Sequence, residues 1–201
     1  TSGKLEIAQN ATIENLAHSG SSRVEIDNAT ILTLSNAFEI PQGKSMELLG
    51  SGGGTLSLLD KPILKGTLKI SSAGYTLRNG TLGLSGGLLD VVEDTNIESN
   101  ITLLVDSTLQ IDPSKSMTYG GTAVDIGTSK LNIQGGGSFI NSAVSALSLN
   151  NADSHLVLDN VSVGFVSGSA ASNGAKGLEV SVDSTLTNLS MTDKLRLSVD
   201  S

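Results

Sequence analysis

The sequence predicts an all-β protein, a right-handed parallel β-helix of about nine or ten coils with about 21 residues each. Three observations predict it. A four-residue motif (a small or basic residue, an aliphatic, a free position, another aliphatic) returns ten times along the 201-residue chain. The free position is polar in nine of the ten copies. The segments between copies are rich in Gly, Asn and Asp and carry no apolar stripe at helical spacing, so strands joined by turns are favoured over helices.

The copies run in order. Lys4-Leu5-Glu6-Ile7 is followed by Arg23-Val24-Glu25-Ile26, Ser45-Met46-Glu47-Leu48, Thr67-Leu68-Lys69-Ile70 and Leu88-Leu89-Asp90-Val91. Thr108-Leu109-Gln110-Ile111, Lys130-Leu131-Asn132-Ile133 and His155-Leu156-Val157-Leu158 continue the series, and Gly177-Leu178-Glu179-Val180 and Lys194-Leu195-Arg196-Leu197 close it. Aligned on their first aliphatic residue, the copies recur every 17 to 25 positions, about 21 on average. Alternation with period two marks a strand with one face buried and one in water, so the paired aliphatics point inward and the free positions outward. Glu6, Glu25 and Glu47 would then stack on successive coils, offset diagonally by Lys4 and Arg23.

A second column lies between the motifs: Thr12-Ile13, Thr30-Ile31, Thr55-Leu56, Thr81-Leu82, Thr102-Leu103, Ser162-Val163 and Thr185-Leu186, with a third strand suggested near Leu34, Leu77 and Leu149. Turns fall at Asn79-Gly80, Asn173-Gly174 and the glycine runs 50–54 and 135–137, residues that accept left-handed backbone or hydrogen-bond their own main chain. The longest interval, Leu131 to Leu156, and the aliphatic-poor run 164–177 predict protruding loops over 135–155 and 164–177. Phe139, Phe165, Asn173 and Lys176 would lie near an interaction face there.

Composition bounds the function. Hydrophobic residues make up 38%, enough for a core, while a net charge of −8 argues against a nucleic-acid groove or an anionic membrane surface. There is no cysteine, hence no disulfide framework or thiolate site, and only two histidines. No stretch approaches the ~18 apolar residues of a membrane span. The chain starts and stops inside strand-like patterns, which predicts a single solenoid segment, 1–201, of a longer protein.

The runs Gly66-Thr67-Leu68-Lys69-Ile70-Ser71-Ser72-Ala73-Gly74 and Asn79-Gly80-Thr81-Leu82-Gly83-Leu84-Ser85-Gly86-Gly87 resemble the right-handed β-helices of bacterial surface proteins. Autotransporter passenger domains, filamentous-haemagglutinin-like adhesins and polymorphic outer-membrane proteins share this texture. The resemblance implies a secreted or surface-displayed rod without enzymatic activity or cofactor, used for adhesion, autoaggregation or as a stalk. Its partners would be other surface proteins, glycans or itself. An open coil end is an unpaired β edge, so a subunit that polymerises end to end into a filament or sheath is an alternative reading.

Right-handed β-helices also include pectin-cleaving enzymes and phage tailspikes, so a polysaccharide-binding or polysaccharide-cleaving β-helix is the other alternative. The carboxylates Asp90, Glu93, Asp94 and Glu98, with Arg78 and Arg23 as cations, form the one candidate cluster. Asp90 stands in the outward column and the others in the turn after it, where acids are ordinary solvated groups. His18 and His155 share no metal-ligand spacing, and no Gly-x-Ser-x-Gly elbow is present. The threonine column would suit an ice-binding face, although Thr is also a favoured strand residue. Asn-x-Ser/Thr occurs at Asn10, Asn28, Asn79, Asn100, Asn160 and Asn188, where Asn turns lead into Thr strands.

Overall fold

The computed structural model describes residues 3–174, 176–181 and 183–199. It is a parallel β-solenoid. Among the described residues ten strands, from Gly3–Ile7 to Leu197–Val199, pair in sequence order as one wall of the stack. A second wall runs from Ala11–Ile13 through Tyr75–Arg78 to Ser138–Ile140, and a third from Glu39–Ile40 through Asn100–Val105 to Leu147–Leu149. The chain visits first, second and third wall in turn, and among the described residues every strand pairing is parallel. One 3-10 turn, Ala143–Ser145, is the helical element of the described residues.

The threonine column of the sequence divides between two walls. Thr12 and Thr55 stand on the second wall, Thr81 and Thr102 on the third. The strands of these walls are short and share the Thr-aliphatic texture, so spacing alone did not separate them.

Inside, the aliphatics stack as expected. Ile26, Leu48, Ile70, Leu89, Ile111, Ile133 and Leu158 are fully buried, while their polar neighbours face out. Leu5 and Val180 are only partly buried, because they belong to coils near the two ends of the described stack.

The register departs from the motif alignment at three seams. Val24 pairs with Leu48 rather than Met46, Leu109 with Ile133 rather than Leu131, and Leu178 with Leu197 rather than Leu195. Each slip is two residues, so no side chain changes face. Glycine explains the first two. The slip sets Gly50 beside Ile26 and Gly135 beside Ile111, where a Cβ on either glycine would collide with the isoleucine carbonyl. With these slips the first wall advances from Gly3 to Val199 in nine steps, about 22 residues per turn rather than 21. At about 4.8 Å per step the stack is roughly 43 Å long.

Both predicted loops contain strand. Ser162–Gly168 is a seven-residue strand, and the stretch 135–155 contains Ser138–Ile140, the 3-10 turn and Leu147–Leu149. Of the run 164–177 only residues 169–176 act as connector, and Ala175 lies outside the described residues. Ser162–Gly168 also joins two walls, pairing through Val163 with Phe139 on the second and through Val166 with Leu147 on the third. At that corner Asn141 substitutes for a strand residue: its Oδ1 accepts from the Phe165 N–H at 2.7 Å and its Nδ2 donates to the Phe165 carbonyl at 2.8 Å.

Candidate functional site

The four residues expected near an interaction face differ in exposure. Phe139 is buried, stacked on Tyr119 with ring centroids 5.7 Å apart. It follows Met117 inward on the second wall, and alternation, not loop position, decides its direction. Phe165 is half-buried in the corner strand. Asn173 is exposed and bonded to the preceding coil, its Nδ2 donating to Asp153 Oδ1 at 3.0 Å. Lys176 closes a turn, its N–H donating to the Asn173 carbonyl.

The carboxylate cluster is dispersed into structural contacts. Asp94 accepts from the backbone N–H and the hydroxyl of Ser116, at 2.8 and 2.9 Å, which holds its carboxyl below the usual range. Glu93 pairs with Lys115 at 2.5 Å, a hydrogen bond that raises the lysine pKa. Glu98 is exposed. Arg78 stands on the second wall, opposite Ser57, whereas Asp90 stands on the first. Arg23 is engaged with Glu47 at 2.9 Å. His18 is on the first coils, where burial lowers its pKa and its Nε2 contacts the Ser22 hydroxyl at 2.9 Å.

The outer surface of the first wall is where polar groups converge. One column there reads Lys4, Arg23, Glu47, Lys69, Asp90, Gln110, Gln134, Asp159 from coil to coil. The first slip therefore places Glu47 opposite Arg23, so the like-charge ladder is limited to Glu6 and Glu25, bridged by Lys4 at 3.3 and 2.6 Å. A parallel column reads Thr67, Leu88, Thr108, Asn132, Val157, Glu179.

Two open depressions lie along these columns. The first, about 360 Å³, is lined by Lys65, Thr67, Thr108, Gln110 and Gln134 and floored by stacked Gly66 and Gly87. A Cβ on either glycine would collide with carbonyls of the coil before, so the chain there lies flat on its neighbour. The second, about 310 Å³, is lined by Lys130, Asn132, His155, Asp159, Glu179 and Ser181. An amide chain links them: Asn132 Nδ2 donates to Gln134 Oε1 at 2.6 Å, and Gln134 Nε2 to Gln110 Oε1 at 3.3 Å.

Three buried polar atoms on this wall have no hydrogen-bond partner among the described residues: Asp90 Oδ1, Asn132 Oδ1 and His155 Nε2. Asp90 is 4.0 Å from Lys69, and burial raises its pKa against the lowering influence of that lysine. His155 Nε2 lies 3.4 Å from Glu179 Oε2 without forming a hydrogen bond. Sequence reasoning treated Gln110, Asn132 and His155 as plain surface positions. The available signal was the change from acids to amides at the free position in two successive motifs.

Among the described residues no three His, Asp or Glu converge as a metal site would, and no helix is long and apolar enough to cross a membrane. No protein-family model matches the chain, and comparison with curated proteins and with solved structures returns no match.

Proposed function

We propose that this solenoid is a non-enzymatic structural and adhesive segment of a protein displayed outside the cell. The observation that carries the reading is the uninterrupted first wall, ten parallel strands long among the described residues. Each coil's backbone groups are bonded to the coils on either side, which gives a stiff element needing no disulfide. Its outer face is polar and charge-alternating, which suits a solvated rod that presents surface along its length rather than one deep pocket. Ionisable residues that a catalyst would gather are instead used coil to coil, as in Lys115–Glu93 and Asp94–Ser116.

The test is surface display. An antibody to the folded chain should label intact source cells, and brief protease treatment of those cells should remove the signal. Labelling only after permeabilisation would refute an extracellular role. Release of new reducing or unsaturated sugar ends from a polysaccharide panel by the purified chain would refute the non-enzymatic one.

A further inference from the structure

We infer that the outer surface of the first wall, from Asp90 to Glu179, is a binding furrow for an extended, neutral, hydroxyl-rich glycan. The inference rests on the adhesive reading above and names the partner class it implies.

The geometry demands a long ligand. Asp90, Asn132 and His155 stand on different coils, the second two coil steps and the third three steps beyond the first. At about 4.8 Å per step these are roughly 10 and 14 Å. A single cation, with oxygen ligands at about 2.3–2.6 Å, cannot bridge them. The two depressions adjoin, because Gln134 lines the first and its Oε1 accepts from Asn132 in the second, and Asp90 stands beside Gln110 of the first.

The chemistry demands hydroxyls. Asp90 Oδ1 and Asn132 Oδ1 are acceptors, each buried and each lacking a donor among the described residues. A buried acceptor left unmatched is destabilising, so a ligand that donates to both gains from the repair. Sugar hydroxyls donate to such oxygens and also accept from the Lys130 ammonium and the Thr108 and Ser181 hydroxyls that line the same furrow. Of the lining charges Lys65 and Lys130 are balanced by Asp159 and Glu179, and Lys69 beside them is paired with Asp90, so the furrow has no net sign to select a polyanion. A peptide is disfavoured because it docks on a sheet edge or on apolar anchors. This is the middle of a wall, and its apolar lining is Leu88 and Val157.

The experiment titrates the ¹⁵N-labelled chain with cellohexaose, xylohexaose, chitohexaose, maltohexaose and, as the charged comparison, hexagalacturonate, at millimolar concentration. At least one neutral hexasaccharide should shift the amides of 88–91, 108–110, 130–134 and 155–159. Asn132→Val, which keeps a strand-favouring side chain, and His155→Thr should each weaken that binding about tenfold, the value of one well-made hydrogen bond. Circular dichroism confirms that both variants remain folded. The inference is overturned if no neutral hexasaccharide shifts those amides, if only hexagalacturonate binds, or if both variants bind as tightly as the parent. Surface labelling with no sugar binding would sink the furrow and spare the adhesive reading. Sugar binding by a chain that never reaches the surface would do the reverse.

Discussion

Replacing Gly135 with alanine tests the register slip that separates the observed stack from the motif alignment. Gly135 has φ of +114°, and its missing Cβ faces the Ile111 carbonyl because Gln134 is set against Gln110. An L-residue in a sparsely populated backbone region costs about 1–3 kcal/mol. Relieving the collision adds displacement of a tightly packed coil, so the total should reach about 3–5 kcal/mol. Gly127→Ala is the control: its φ is +56° and nothing lies within 4 Å of the added methyl. That substitution should cost only the left-handed penalty, about 1–2 kcal/mol. Unfolding entropy near 2.1 cal/mol/K per residue gives about 0.4 kcal/mol/K for a chain of this size. Gly135→Ala should therefore lower Tm by about 7–12 °C and Gly127→Ala by about 2–5 °C, read by circular dichroism with matching urea curves. Equal losses at the two positions would refute the slip, since under the motif alignment Ile111 would lie against Ile133 and Gly135 would have no special neighbour.

Leu109→Ala, at a 1% exposed position between Leu89 and Ile133, should cost about 2–5 kcal/mol by urea denaturation, and a loss below 1 kcal/mol would place it outside the core. An Arg23/Glu47 double-mutant cycle should give a coupling of about 0.2–1 kcal/mol that fades in molar salt, as for other solvent-facing pairs, whereas Arg23/Glu25 should give less. Asp90 has a folded-state pKa raised above its unfolded value, so the folded state binds the proton more tightly and loses stability as pH rises from near 4 through the raised value. Asp90→Asn should flatten that segment of the stability–pH curve, and an unchanged slope would show that another group is responsible.

The alternation of Leu109-Gln110-Ile111 and its nine counterparts made the solenoid legible, because period two together with a fixed recurrence leaves little else to build. The slips at Val24, Leu109 and Leu178 were invisible for the same reason: a two-residue shift preserves every inward and outward assignment. The first two are set by where a glycine can lie against a carbonyl, a contact with no signature in local pattern. Phe139 was misplaced because a long interval suggested a loop, while the three-residue strand Ser138–Ile140 continues the column from Met117. The furrow was hidden differently. Asn132, Gln134 and Gln110 are separated in sequence by a full turn or by one residue, and only the coil register shows them as one bonded chain.

The corner strand Ser162–Gly168 has a mechanical consequence. Up to Leu147–Leu149 the coils have three walls meeting at turns, a triangular tube that shares torsion among its edges. In Ser162–Gly168, and again in Thr185–Met191, the second and third walls are one continuous strand, and the Asn141 amide bonds the first of these across the lost corner. A folded ribbon twists more easily than a closed triangle, so a load that wrings the rod would be taken up in these coils while the earlier ones stay rigid.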